Sequence, residues 1–157
     1  MSELIMLVGL PGSGKSTYIK SINKDGKYTV ISSDNIIDEI AAEKGISYTD
    51  AFSDHVGFAT KKMFILAKQA INQGKPIIWD QTNMNVKNRK KKLEMFPDSY
   101  EKRAVVFSID DLELKRRLKD RAEKTGKHIP DHVMKSMASS YQAPTKAEGF
   151  TNIKFIK

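Results

Sequence analysis

The chain has 157 residues, 39% of them hydrophobic and 29% charged. That is enough apolar material for one core and too little length for two enzymatic ones, so one activity at one site is expected. Twenty-seven Lys and Arg against nineteen Asp and Glu give a net charge of +8, which points to polyanionic partners such as nucleic acid, nucleotides or an acidic membrane surface. Residues 1–80 hold nine Lys, no Arg and nine acids, and residues 81–157 hold eighteen basic residues against ten acids, so the excess lies entirely in the second half. The lack of Cys excludes a disulfide framework, a thiolate zinc site and a cysteine nucleophile, and fits a reducing cell interior. The early apolar run is far too short to span a membrane and lacks the basic start of a signal peptide. A soluble, cytoplasmic protein is expected.

Leu4-Ile5-Met6-Leu7-Val8 is a continuous apolar run ending at Gly9, the pattern of a strand buried on both faces of a parallel sheet. A glycine-rich turn follows, and Ser16 to Lys24 reads as a helix stopped by Asp25-Gly26. Tyr28 to Ile31 is a short β-branched strand, after which Ser32-Ser33-Asp34 offers a cap for a helix from Asn35 to Lys44, ended by Gly45. Thr49 or Asp50 caps a long helix through Gln73, because Phe52, Val56, Ala59, Met63, Leu66, Ala67 and Ala70 recur at helical spacing. Pro76 to Asp80 is a buried strand ending in a carboxylate. Val86 to Phe96 is a very basic helix broken by Pro97-Asp98. Arg103 to Ile109 is a fourth strand, and Asp110-Asp111 opens a helix to Glu123. Thr125 to Pro130 is a loop, Asp131 to Tyr141 a helix, and Ile153 to Ile156 a last strand. Strands alternating with helices predict an α/β fold: a three-layer sandwich with a parallel sheet of about five strands, helices on both faces and a helical lid over approximately 114–130. The whole chain, 1–157, reads as one domain without repeat or linker.

Gly9-Leu10-Pro11-Gly12-Ser13-Gly14-Lys15-Ser16 matches G-x-x-x-x-G-K-[ST] directly after a predicted strand and at the start of a predicted helix, the phosphate-loop context of P-loop NTPases. Glycines let backbone N–H groups converge on phosphate oxygens, and the helix N-terminus adds a positive dipole end. Gly9, Pro11, Gly12, Ser13, Gly14, Lys15, Ser16 and Thr17 are therefore the candidate nucleotide-binding residues. Lys15 is the charge for the β- and γ-phosphates, and Ser16 is the hydroxyl for Mg²⁺. ATP and Mg²⁺ are the expected cofactors.

Ligands of open parallel sheets sit outside the carboxyl ends of the strands, so Asp34 and Asp80 should face the same crevice as Lys15. A carboxylate there can take the proton of an acceptor hydroxyl, and another can organise metal or arginine. Asp34 equally suits a helix cap and Asp80 a turn. Thr82 and Asn83, following Asp80-Gln81, either satisfy loop backbone or touch substrate. Arg117 and Arg121 share one face of a helical stretch that also holds Arg116, and a lid arginine of this kind can meet charge on the transferred phosphoryl group. Lys87, Arg89, Lys90, Lys91 and Lys92 form a second cluster that either tracks a nucleic-acid backbone or is a solvated face. His55 and His132 lack metal-ligand company, and His128 lies in the lid loop.

Gly9 to Thr17, Ser33-Asp34, Asp80-Gln81-Thr82-Asn83, Lys127-His128-Ile129-Pro130 and Gln142-Ala143-Pro144-Thr145-Lys146-Ala147-Glu148-Gly149-Phe150 together resemble the kinase domain of polynucleotide kinases, over nearly the whole chain. That family moves the ATP γ-phosphate to the 5′-hydroxyl of DNA or RNA ends. The middle and terminal segments also resemble a P-loop module of a class of heterogeneous nuclear RNA-binding proteins. The resemblance implies Asp34 as general base, Lys15 and Ser16 as phosphate and magnesium residues, Arg121 and Arg117 as lid arginines, and Asp80 as an organising carboxylate. Ile37 stands where the phage polynucleotide kinase has an arginine that binds the phosphate flanking the target hydroxyl. A small kinase of this type is also similar to the bacteriophage enzymes that phosphorylate 5-hydroxymethyluracil within DNA, which would place it in a host cytoplasm and require the target nucleotide to be extruded from a duplex.

Three functions follow as expectations. The first is an ATP- and Mg²⁺-dependent kinase acting on a hydroxyl of nucleic acid, with DNA as partner, either at a 5′-hydroxyl end or at the hydroxymethyl group of 5-hydroxymethyluracil. The second is a small-metabolite kinase of the gluconate or shikimate type. The third is a nucleotide-binding module without turnover.

Overall fold

The computed structural model describes residues 2–157. Five strands, β1 (Ser2–Val8), β2 (Thr29–Ile31), β3 (Ile77–Asp80), β4 (Tyr100–Phe107) and β5 (Asn152–Ile156), form one parallel sheet in the order β2-β3-β1-β4-β5. The helices between them are α1 (Lys15–Ile22), α2 (Ser33–Lys44), α3 (Tyr48–Asn72), α4 (Val86–Leu93), α5 (Asp111–Thr125) and α6 (Asp131–Ser139). A single 3-10 turn, Lys146–Glu148, precedes β5.

The side-chain period of two splits β1 between two cores. Leu4 and Met6 point with Ile77, Trp79 and Ala104 toward α2, α3 and α4, whereas Ile5 and Leu7 point with Ile78, Val105 and Phe107 toward α1. Helices thus cover both faces, which is why the β1 run needs no polar position between Leu4 and Val8. The long α3 lies close to the sheet because its buried stripe is small, with Ala51, Ala59, Ala67 and Ala70 around the single large Met63. Trp79 fills the space beneath α4, its ring 5.7 Å from Phe64 and 6.2 Å from Phe96.

Several element ends differ from expectation. Ser47, whose hydroxyl accepts from the Asp50 N–H, caps α3 in place of Thr49 or Asp50. The basic α4 ends at Leu93, where the chain tightens into bonds from Met95 N to Lys92 O and from Phe96 N to Leu93 O. β4 begins at Tyr100, three residues before the expected start at Arg103, because polar Glu101 and Lys102 pair alongside Glu3 and Leu4 of β1. α6 stops at Ser139, short of Tyr141.

The chain leaves β1 for β2, returns to β3, and crosses to β4 on the other side. The carboxyl end of β1 is therefore the place where the winding reverses, and a crevice opens there. α5 leans over it, with Leu114 and Leu118 against Gly12, and α6 follows with no buried residue.

Candidate active site

The cleft at the carboxyl ends of the strands encloses about 880 Å³. Its floor is the loop between β1 and α1. Gly12 and Gly14 adopt φ values of +83° and +110°, a region that side-chain-bearing residues rarely enter. Gly14 is the N-cap of α1, no side chain caps the helix, and no acid occupies its first turn. The first N–H groups of α1 thus lack partners from the helix, and the Ser13 hydroxyl is buried without a hydrogen bond. Such an uncapped, positively ended cradle fits a phosphate chain.

Lys15 Nζ donates to Gly9 O at 2.7 Å and reaches Gln81 O at 3.5 Å. Burial pulls its pKa down to about 8, against the opposing pull of Asp80 and Asp34. Gly9 differs from the expected phosphate contact. Its N–H donates to Thr82 O and its carbonyl accepts from Lys15, and a Cβ there would meet Ser13 Oγ at 2.7 Å and Phe107 Cβ at 3.0 Å. It shapes the loop from beneath, while Pro11, Gly12, Ser13, Gly14, Ser16 and Thr17 line the cleft.

The two readings of Asp34 separate in the structure. Ser32 caps α2 by accepting from Asn35 N at 3.3 Å, which leaves the Asp34 carboxylate free to face the cleft. Asp34 Oδ1 accepts a 2.5 Å hydrogen bond from Tyr48 Oη. Burial, and then Asp34, holds the Tyr48 phenol above its ordinary pKa. Asp80, the last residue of β3, lines the same cleft, and burial pushes its carboxyl up while Lys15 pulls it down. Gln81 ties the two strand ends together, donating to Ser33 Oγ at 2.9 Å and accepting from Trp79 Nε1 at 3.2 Å.

Thr82 and Asn83 both line the cleft, and the Asn83 side chain is hydrogen-bonded within the protein. It is 1% exposed at φ +49°, donates to Leu7 O at 2.7 Å, and accepts from Lys92 through Oδ1. Of the alternatives open for it, backbone satisfaction describes this geometry. The basic α4 is likewise not one surface patch. Arg89 is fully buried, bonded to Glu148 at 2.9 Å, to Asn83 O at 2.9 Å and to Gln142 O at 2.8 Å. Lys92 is buried against the cleft, donating to Asn88 Oδ1 at 2.8 Å and lying 5.6 Å from the Trp79 ring centroid. Burial pulls its pKa down to about 7. Lys87, Lys90 and Lys91 remain exposed.

On α5, Arg117 and Arg121 face the cleft, and Arg117 reaches Gly12 O at 3.4 Å while pairing with Glu113. Arg121 contributes positive charge at Lys15 and Asp80. Arg116 points outward to Glu113. Lys127, just past α5, closes the far side: its ammonium is 2.9 Å from Asp38 and 4.7 Å from the centroid of the Tyr48 ring. Tyr48, Asp38, Lys92 and Asn88 carry no motif, and sequence reasoning passed over Tyr48, Asp38 and Asn88 and gave Lys92 to a surface.

A family model described as an AAA domain, AAA_33, matches residues 4–144. Heterogeneous nuclear ribonucleoprotein U-like protein 2 of Mus musculus is 26% identical over 98% of this chain and 21% of its own length, so the chain spans about a fifth of that relative. Among solved structures, a protein from Chloroflexus aurantiacus superimposes with a TM-score of 0.73 at 14% identity, covering 99% of this chain and 84% of that one. A chain of the Pnkp1/Rnl/Hen1 RNA repair complex gives 0.68 at 23% identity over 88% of this chain and 43% of that one. A gluconokinase from Sinorhizobium meliloti gives 0.58 at 18% identity over 98% and 81%. These likenesses establish a P-loop kinase-like fold.

Proposed function

The chain belongs to the AAA_33 family of AAA domains, and we propose that it is an ATP-dependent phosphotransferase that moves the γ-phosphate to a hydroxyl of nucleic acid, either the hydroxymethyl group of 5-hydroxymethyluracil in DNA or a polynucleotide 5′-hydroxyl. The observation that carries this reading is the convergence of Lys15, Asp34, Asp80 and Arg121 on one cleft, close enough that the Lys15 ammonium feels all three charges. An uncapped helix N-terminus with a buried cation receives a triphosphate, and a free carboxylate across from it receives a proton.

In this reading the N–H groups of Gly12 to Thr17 and the Lys15 ammonium hold the β- and γ-phosphates. The Ser16 hydroxyl, with Asp80 nearby, would hold Mg²⁺, which neutralises charge on the phosphate oxygens when bound. Asp34 accepts the proton of the acceptor hydroxyl as that oxygen attacks the γ-phosphorus in line. The bond from the γ-phosphorus to the β–γ bridging oxygen breaks, ADP leaves with that electron pair, and Arg121 and Arg117 meet the charge on the moving phosphoryl group. Tyr48 holds one Asp34 oxygen, so the other is presented to the acceptor. Ile37, a fully buried residue of α2, supplies no charge to a flanking phosphate, which favours an acceptor within a base over one at a 5′ end. The resemblance of the chain to a ribonucleoprotein by name supports nucleic acid as partner.

A small polyol acid is the second reading, favoured by Lys92. Its buried ammonium beside the Asn88 amide is a fitting counter-charge for a carboxylate. Labelled transfer from γ-labelled ATP decides between them. A 5′-hydroxyl oligonucleotide, a 5′-phosphorylated oligonucleotide with internal 5-hydroxymethyluracil, and gluconate are offered side by side. Asp34→Asn is expected to lower transfer at least about a hundred-fold while keeping ATP binding, and Lys15→Ala to lose both. Near-normal turnover in Asp34→Asn removes the base assignment. ADP release independent of every acceptor would leave a nucleotide-binding module.

A further inference from the structure

We propose that Tyr48 and Phe52 form a stacking shelf for the nucleobase of the nucleotide that carries the acceptor hydroxyl, an inference that rests on the nucleic-acid reading above. The two residues lie one helical turn apart on α3, with ring centroids 6.1 Å apart and planes inclined by 34°. The shelf begins at the candidate base itself, because the Tyr48 hydroxyl is bonded to Asp34. It ends in water, because Phe52 is 45% exposed. A ring system leaving the reacting centre along Tyr48 would therefore meet the Phe52 ring.

The chemistry of this surface selects a flat, apolar partner. Phe52 offers no hydrogen-bonding group, so it gives a polyol none of the directed partners that its hydroxyls need for recognition. A nucleobase presents a π-face, and base–aromatic stacking is tolerant of sequence. Lys127 adds positive charge at the Tyr48 ring while its ion pair with Asp38 fixes its place. The shelf is thus a stacking surface with one neutralised cation, and the phosphates are left to other lysines. The shelf also fits the buried Ile37, since an acceptor gripped by its base needs no cation at that position.

Acceptor kinetics at saturating ATP test the shelf in the full chain, with wild type, Phe52→Ala and Phe52→Trp. The acceptors are a 5′-hydroxyl oligonucleotide, the same oligonucleotide abasic at its first position, and one with internal 5-hydroxymethyluracil. Phe52→Ala is expected to raise the KM of the base-bearing acceptor about ten-fold, and Phe52→Trp to restore it. The abasic acceptor should give the same KM with all three proteins. A fluorescent 2-aminopurine at the acceptor nucleotide should be quenched on binding to wild type and Phe52→Trp, and less by Phe52→Ala. Equal acceptor KM in Phe52→Ala and wild type overturns the shelf while leaving the kinase reading standing, as does an equal loss on the abasic acceptor. Transfer to gluconate and to neither oligonucleotide removes both.

Discussion

Lys15 is a cation without a carboxylate partner. Its hydrogen bonds go to the carbonyls of Gly9 and Gln81, and burial brings its pKa to about 8. A bound triphosphate places negative charge beside it and raises that value. Between the free and bound pKa the complex holds more protons than the free protein, so ATP binding near pH 8.5 takes up part of a proton and affinity falls as pH rises above about 8. Titration calorimetry at pH 8.5 in two buffers of different ionisation enthalpy reads this directly: net uptake is expected, and a binding enthalpy that is the same in both buffers would remove the assignment. The residue was legible in the sequence because its whole setting is contiguous, a strand, a turn with two glycines at positive φ and a helix start. Asp34 was legible only as an alternative between cap and cleft, and Ser32 resolves it. Tyr48 was not legible, since fourteen positions separate it from the carboxylate it holds and only the packing of α3 against α2 brings them together.

At the scale of elements, α4 shows best how composition misleads. Val86 to Phe96, with Lys87, Arg89, Lys90, Lys91 and Lys92, reads as a basic helix for a nucleic-acid backbone or for solvent, but Arg89 and Lys92 turn inward. Arg89 joins α4 to the segment before β5 through Glu148, with side-chain exposures of 0% and 8%, and to the Asn83 loop through its carbonyl. Glu148 also accepts from Thr145 N at 2.8 Å. The Asn83 loop beside the cleft therefore depends on a buried ion pair whose partners lie 59 positions apart. Removing one partner leaves a charge uncompensated, so Glu148→Gln or Arg89→Met should cost about 3–5 kcal/mol. Urea unfolding measures it, and a change below about 1 kcal/mol would mean the pair is dispensable. The exchange of Arg89 and Glu148 together for apolar residues should cost less than either alone. The strands were more legible than this helix, because burial on both faces writes a continuous apolar run, whereas a buried cation and a solvated one are spelled alike. β4 was read short for the converse reason: its first residues are polar, and the ladder to β1 holds them in the sheet.

For the whole molecule, the excess of positive charge is less available than +8 implies. Arg89 is consumed by Glu148, Arg103 by Glu3 and Glu101, and Arg116 by Glu113, while Arg117 shares Glu113 with Arg116, so of the two arginines at the cleft Arg121 alone is without an ion pair among the described residues. A nucleic-acid backbone must be met by lysines, of which Lys87 and Lys91 on α4 are exposed and Lys157 lines the cleft mouth. The alternation of strand and helix made the parallel sheet legible, but not the strand order, which depends on which side of β1 each crossover takes. That order puts the neutral first half and the basic second half on the same cleft, with the glycine-rich loop and Asp34 from one and Arg117 and Arg121 of α5 from the other. Each phosphate neutralised by a lysine releases counterions, so log affinity falls against log salt by about 0.7 per contact for a single strand. With ATP saturating, the acceptor KM of an oligonucleotide should rise with salt at a log–log slope of about 2, as three lysines would give. Lys87→Ala with Lys91→Ala should bring that slope below about 1 without changing the response to gluconate. A flat salt profile for the oligonucleotide would assign the lysines to solubility, and would leave the acceptor held by its base and its hydroxyl alone.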